Sequence, residues 1–216
     1  MRAILLAAGV GRRMQVNGLP LPKVMLSFGG KTLLRRHVEI LRHAGVAEIV
    51  VAVGHRAGLI EAEIAALGGG VETVFNPWYE EGSIVTLWTV GEALSRGGDV
   101  ILMDADVLYD HRMMARLLAS AHRNAFLLDR DFELGEEPTK LCVRDGHLVE
   151  FHKTVRVAYD YWGESVGFFR LGETIARRMV GHARAYIEAG RRHELYDEAL
   201  RDILLGDPRA PSASRT

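Results

Sequence analysis

Short apolar runs alternate with stretches of helical periodicity along the first half of the chain. Residues 2–7 (RAILLA), 48–53 (EIVVAV), 71–75 (VETVF) and 99–103 (DVILM) have strand length, and the last three are rich in β-branched side chains. Between the first two, Leu33, Leu34, His37, Val38 and Leu41 repeat at helical spacing, and Gly45 supplies a stop. Residues 59–67 form a shorter helical pattern closed by Gly68, Gly69 and Gly70. Ser83 is placed to cap a further helix whose apolar face holds Ile84, Leu87, Trp88 and Leu94. This alternation predicts βαβ crossovers and an α/β chain with a mostly parallel central sheet, helices covering both faces.

The pattern then changes. Residues 139–144 and 147–152 flank Asp145-Gly146, a strong two-residue hairpin signal. Residues 166–171 read as one more apolar strand, followed by helices at 173–190 and 195–205. No linker separates two cores, so a single domain is expected over 1–206, with an antiparallel hairpin extension in its second half. Residues 207–216, with two prolines and two serines, are expected to be a frayed tail.

Composition narrows the partners. In 216 residues, 27 Lys and Arg face 28 Asp and Glu, a net charge of −1, so no global field favours nucleic acid. The 48% apolar and 25% charged content is that of an ordinary globule. Membrane insertion is not expected: the apolar run at residues 3–8 is far too short, and its basic residues follow it where a secretory signal carries them in front. With Cys142 as the single cysteine, a reducing, cytoplasmic setting is expected.

The candidate chemistry begins where the first strand ends, at Leu6-Ala7-Ala8-Gly9-Val10-Gly11-Arg12-Arg13-Met14, with Pro22-Lys23 shortly after. A glycine loop at the carboxyl end of a strand lets backbone N–H groups approach phosphates, and Arg and Lys neutralise them. No Gly-Lys-Ser/Thr follows, so it is not a Walker A loop, and the third glycine of a dinucleotide fingerprint is missing. A second cluster, Asp104-Ala105-Asp106, follows the 99–103 strand. Two acids there suit a divalent cation; the alternative is a solvated or helix-capping turn before a helix starting near His111.

LAAGVGRRM followed by Pro-Lys resembles the LAAGxGxRM…PK signature of nucleotidyltransferases, the superfamily of MobA-like and sugar-nucleotide transferases. Gly9, Gly11, Arg13 and Lys23 match it position for position, and residues 15–21 fall where that family varies in length. The resemblance implies a Rossmann-like nucleotidyltransferase fold and attack by an acceptor oxygen on the α-phosphorus of a nucleoside triphosphate, with pyrophosphate leaving. It implies Arg13 and Lys23 as the catalytic cations, Leu6, Ala8, Gly9 and Gly11 against the nucleotide, and Mg²⁺ as cofactor. Asp106 takes the metal role, with Asp104 assisting at the nucleotide. Tyr196-Asp197-Glu198-Ala199-Leu200 is similar to a stretch in small-acceptor members, which makes Asp197 the candidate second metal carboxylate; an acidic first helical turn accounts for it equally well.

Residues 76–87 (NPWYEEGSIVTL) resemble the corresponding stretch of phosphocholine, aminoethylphosphonate and inositol-phosphate cytidylyltransferases. Ser83 would there be a base contact as well as a cap. The implied partners are CTP and a small phosphorylated or phosphonate acceptor, and a homodimer is compatible with the pattern. Lys153 matches a family lysine at a strand end and Glu164 lies in Gly163-Glu164-Ser165-Val166-Gly167, so both are assigned to the acceptor. Tyr159, Tyr161 and Trp162 around Asp160 would offer aromatic faces to an ammonium group, or simply pack at a hairpin edge; Asp129, Asp131, Glu133, Glu136 and Glu137 add acidity nearby. The alternatives are a sugar-1-phosphate or molybdopterin-type nucleotidyltransferase and a non-catalytic nucleotide sensor.

Overall fold

The central strands are unbroken apolar runs because alternate residues enter two different cores. In the computed structural model, which describes residues 1–11, 21–131 and 138–206, β1 (Arg2–Leu6) sends Ile4 to one side, and Ala3 and Leu5 to the other. A miniature hairpin follows, β2 (Ser27–Phe28) and β3 (Lys31–Thr32), turned by Gly29 and Gly30 at φ 56° and 74°. Next come α1 (Leu33–His43), capped by the Thr32 hydroxyl on the Arg35 N–H, β4 (Glu48–Val53), α2 (Ala57–Leu67) and β5 (Val71–Phe75). The chain continues through α3 (Ser83–Thr89), α4 (Gly91–Ser95), β6 (Val100–Asp104), α5 (His111–Leu118) and β7 (Ala125–Asp129). The hairpin β8 (Lys140–Arg144) and β9 (His147–His152), the long β10 (Tyr161–Leu171), α6 (Glu173–Glu188) and α7 (Tyr196–Leu205) complete it.

An eight-stranded sheet runs β5-β4-β1-β6-β10-β8-β9, with β7 also paired to β10. The pairs β5–β4, β4–β1 and β1–β6 are parallel; β10 joins β6, β7 and β8 antiparallel. One core packs Ile4, Val50, Val100 and Leu102 against α3, α4, α6 and α7. The other packs Ala3, Leu5, Val51 and Met103 against α1, α2 and α5. The α/β architecture with a parallel centre and an antiparallel extension is therefore the one expected. The hairpin turn at Asp145-Gly146 is also as expected, both residues having positive φ, 51° and 74°.

Several boundaries differ from the sequence expectation. The strand expected at 99–103 is shifted by one, so Asp104 is its last residue and pairs with Leu6 of β1. The strand expected at 166–171 begins at Tyr161, because its first half is a rung between β7 and β8. One helix from Ser83 through Leu94 is instead two. The Thr89 hydroxyl donates back to the Val85 carbonyl at 2.8 Å, and Gly91 passes Val180 closely, an added Cβ lying 3.0 Å from its Cγ1. The expected tail at 207–216 lies outside the described residues. Among the described residues no helix is long and apolar enough to cross a membrane.

Candidate active site

β1 lies between β4 on one side and β6 on the other, so the chain reverses its direction of winding there. Open α/β sheets bind ligands at such a switch point, beyond the carboxyl ends of the strands. A cleft of about 310 Å³ opens at that point. It is lined by Leu6, Ala7, Ala8, Gly9 and Gly11 at and beyond the end of β1, by Lys23 and Val24, and by Asp104, Ala105 and Asp106 at the end of β6. Tyr79, Glu81, Ser83 and Thr86 form another wall, and Leu195, Tyr196 and Asp197 close the side at the start of α7.

The loop is held from behind and open in front. The Ala7 N–H donates to the Ala52 carbonyl at 3.0 Å, and the Ala8 carbonyl accepts the His55 N–H at 3.0 Å. A Cβ on Gly9 would meet no described protein atom within 4 Å, which leaves the loop backbone accessible to a ligand. Gly11 has φ 63° and lies under Lys23, whose Cγ would be 3.3 Å from an added Cβ. Gly54 is needed for close approach: a Cβ there would sit 2.4 Å from Tyr79 Cβ and 2.8 Å from the Ala8 carbonyl oxygen.

Asp104, Asp106, Asp197 and Glu81 share the cleft with one lysine among the described residues. Lys23 Nζ donates to Asp106 Oδ2 at 2.6 Å. Asp104 accepts from the Tyr196 hydroxyl at 3.1 Å and is pressed by Gly167, where a Cβ would lie 2.3 Å from Asp104 Oδ2. Burial, reinforced by the charges of Asp197 and Asp106, pushes the Asp104 carboxyl up to about 8. Burial likewise raises Asp197 to about 6; Glu198 adds to the shift, and Lys153 and His152 oppose it. Carboxyls raised in this way are short of positive charge, and the site is suited to receive a cation.

A backbone clasp joins the Glu81–Ser83 wall to the α7 wall. The Gly82 N–H donates to the Arg192 carbonyl at 2.9 Å and the Ile84 N–H to the Glu194 carbonyl at 3.1 Å. Arg192 also forks onto the Glu81 carboxylate. Ser83 is not the cap of its own helix. Gly82 is the N-cap of α3 and makes no side-chain cap bond, while Ser83 Oγ accepts the Tyr196 N–H at 2.9 Å, one of the orphan donors at the start of α7. The reason is proximity: a Cβ at position 82 would be 2.2 Å from the Glu194 carbonyl oxygen, so only glycine allows the two segments to meet.

The remaining candidates lie elsewhere. Arg13 is outside the described residues, as are Glu133, Glu136 and Glu137. Lys153 follows β9 and acts electrostatically on Asp197. Glu164, Tyr159 and Trp162 are not among the residues lining the cleft. Glu164 is in register with Lys140 and Asp129, and Tyr159 is exposed. The ring faces of the aromatic run already carry cations of the chain itself, Lys140 Nζ 5.1 Å from the Trp162 centroid and the Arg130 guanidinium 4.6 Å from that of Tyr161.

The family model for the MobA-like NTP transferase domain matches residues 3–161, most of the chain, including the loop, Lys23 and the aspartates after β6. The chain belongs to that family.

Among curated members it is similar to the bifunctional IPC transferase and DIPP synthase of Rubrobacter xylanophilus, 31% identical over 82% of this chain and 40% of that one. It is also similar to the CTP:phosphoglutamine cytidylyltransferase of Campylobacter jejuni, 22% identical over 91% and 81%. The match thus spans about two fifths of the bifunctional relative's length. Its fold matches the inositol-1-phosphate CTP transferase from T. maritima with a TM-score of 0.72, at 21% identity over 93% of this chain and 80% of that one. The CTP:phosphocholine cytidylyltransferase from Streptococcus pneumoniae gives 0.67, at 21% identity over 93% and 84%. Beside these family features, sequence reasoning missed Tyr79, Glu81, Thr86 and Tyr196 as cleft residues. All four lie in stretches the sequence singles out, residues 76–87 and Tyr196-Asp197-Glu198-Ala199-Leu200, but no role is assigned to them there.

Proposed function

We propose that this MobA-like domain transfers CMP from CTP to a phosphate or phosphonate oxygen of a small acceptor, releasing pyrophosphate. The observation that carries the reading is the single cleft at the ends of β1 and β6. It combines an accessible glycine loop, Lys23, and the carboxylates of Asp104, Asp106 and Asp197. Both substrates are anions, so the site needs cations and positioning more than it needs a base.

The acceptor oxygen forms a bond to the α-phosphorus as the bond from that phosphorus to the β-phosphate oxygen breaks. The loop N–H groups and Lys23 hold the triphosphate, and Lys23 exchanges its contact with Asp106 for the oxygens that gain charge. Arg13, two positions after Gly11 in the sequence, is assigned to the leaving pyrophosphate. Lys153 is assigned to the acceptor phosphate, and Glu164, in register with Lys140 on β8, to the rest of the acceptor. Tyr79, Glu81, Ser83 and Thr86 are assigned to the base.

Mg²⁺ fits the donor chemistry of the cleft. Among the described residues no three His, Cys, Asp or Glu side chains form a ready-made metal cage. Mg²⁺ prefers one or two carboxylates completed by water and phosphate oxygens, and Asp106 and Asp197 would supply those. When bound, it would neutralise triphosphate charge and polarise the α-phosphoryl group.

The names of the relatives support CTP as donor: those above are named for CTP or for cytidylyl transfer in three of four cases. The test is pyrophosphate release from each of four nucleoside triphosphates with phosphocholine, 2-aminoethylphosphonate, inositol phosphate and sugar 1-phosphates. Release with CTP and a non-sugar acceptor is the expected result. Release only with another triphosphate and a sugar phosphate, or with no pair, overturns the reading.

A further inference from the structure

Outside the cleft, the side chain hardest to explain by packing is His37. It lies on the apolar face of α1 among Leu33, Leu34, Val38 and Leu41 and is 1% exposed. Its Nε2 is 3.0 Å from the carbonyl oxygen of Ala105, the residue between Asp104 and Asp106. A carbonyl oxygen only accepts, so Nε2 carries the hydrogen and Nδ1 is a bare acceptor. Among the described residues Nδ1 has no hydrogen-bond partner, and neither has the buried hydroxyl oxygen of Tyr109, whose ring stacks on the imidazole at 5.2 Å. An unsatisfied buried polar atom is destabilising. A leucine would fill this helix position without that cost, so packing alone does not account for an imidazole. What the imidazole adds is one hydrogen bond, and that bond ends on the turn carrying the two aspartates.

We infer that His37 is a positioning residue for nucleotidyl transfer: through the Ala105 carbonyl it fixes the turn that presents Asp104 and Asp106 to the cleft. The inference rests on the reading of that cleft given above. The turn is otherwise held at its two aspartates by groups that face the ligand site. Lys23 reaches Asp106, and Tyr196 reaches Asp104. His37 reaches the turn from the core that contains α1, α5 and Val24, the neighbour of Lys23, whereas Tyr196 belongs to the core on the other side of the sheet. The stack continues through Tyr109 to Phe168, 4.6 Å away edge-to-face, and Phe168 is next to the Gly167 that touches Asp104. One continuous set of packed rings thus runs from the Ala105 carbonyl to the neighbour of the glycine that abuts Asp104. Burial holds the imidazole down to about 4, against the smaller opposing effects of the Ala105 bond and the Asp106 charge, so the donor tautomer persists across the working range of most enzymes.

The test compares His37→Gln, His37→Asn and His37→Leu in the full chain. A Gln amide nitrogen reaches the position of Nε2 and can keep the bond to Ala105, whereas Asn reaches only the position of Nδ1. Two quantities are read: the Mg²⁺ concentration giving half-maximal pyrophosphate release, and the affinity for Mn²⁺ in the presence of CTP, measured by electron paramagnetic resonance without turnover. Loss of an outer-shell partner of a metal ligand costs about 10–100-fold in affinity or activity. The expected result is a loss of about tenfold or more in both quantities for Asn and Leu, with Gln within about threefold of the native protein. Native behaviour in Asn, or a loss in Gln as large as in Asn, overturns the inference. If Leu fails to fold, the Gln and Asn pair still decides. Were the native protein to turn over no substrate pair, the functional reading would fail, while the Mn²⁺ comparison would still report on His37.

Discussion

Ser83 Oγ accepts the backbone N–H of Tyr196 at 2.9 Å, so a side chain at the start of one helix caps another helix 113 positions later. The bond links the wall assigned to the base with the element that carries Asp197. Ser83→Ala removes a cap and is expected to cost about 0.5–2 kcal/mol in denaturant unfolding. Gly82→Ala is expected to be worse for function, because its Cβ would force the Glu194 carbonyl away and move the start of α7. A loss of about tenfold in kcat/KM for CTP is the predicted outcome for Gly82→Ala. Native kinetics in that variant would show that the two segments adjust independently.

Lys23 holds Asp106 in the ligand-free protein, with its side chain 30% exposed at the cleft. If its ammonium stabilises charge that develops only during transfer, Lys23→Ala lowers kcat by about a hundredfold. CTP affinity, measured by calorimetry, falls much less. A variant that loses affinity and keeps kcat would reassign Lys23 to ground-state binding.

The two proposed metal carboxylates differ in setting, and their variants should differ too. Asp106→Asn keeps size and hydrogen bonding but removes charge from the group that faces Lys23. Activity is expected to be nearly abolished, with only partial rescue by excess Mg²⁺. Asp197→Asn should show a weaker form of the same defect. A silent Asp197→Asn beside an inactive Asp106→Asn would remove Asp197 from the metal site.

The raised carboxyls make a signed prediction for stability. A carboxyl whose folded pKa is above its unfolded value binds its proton more tightly in the fold. Its contribution is complete below the unfolded value and is lost as pH rises through the folded one. For Asp104, raised from 3.8 to about 8, the loss spans that whole interval. Asn at 104 cannot ionise and still offers an oxygen to the Tyr196 hydroxyl. Ligand-free Asp104→Asn is therefore expected to melt at least about 3 °C above the native protein at pH 8.5, with a much smaller difference near pH 4. An offset that does not change with pH would mean that Asp104 carries no such penalty.

Much of the fold was legible because the parallel strands are buried on both faces and read as apolar runs. The hairpin was legible because Asp145-Gly146 fits a turn that needs positive φ twice. β7 was missed: Ala125–Asp129 is half-buried and pairs only with a strand 35 or more positions later, a relation no local pattern encodes. The first half of β10 was missed because Tyr-Trp-Gly-Glu-Ser lacks the continuous apolar character of the centre of the sheet. In the cleft, the loop, Lys23 and the aspartates were legible through a motif. The clasp was not, since it depends on a glycine meeting a backbone carbonyl more than a hundred residues away. The aromatic run offered an ammonium site to a reader of the sequence, but Lys140 and Arg130 reach two of its rings from other strands and loops.

Oxygen tracing decides between transfer to the acceptor and any other fate of CTP. The chain would be incubated with unlabelled CTP, Mg²⁺ and an acceptor whose phosphate or phosphonate oxygens carry ¹⁸O, and the products weighed by mass spectrometry. Attack of an acceptor oxygen on the α-phosphorus places all the label in the CDP- or CMP-linked product and none in the pyrophosphate. Label in pyrophosphate, or free CMP with an unchanged acceptor, would contradict transfer of CMP by this cleft.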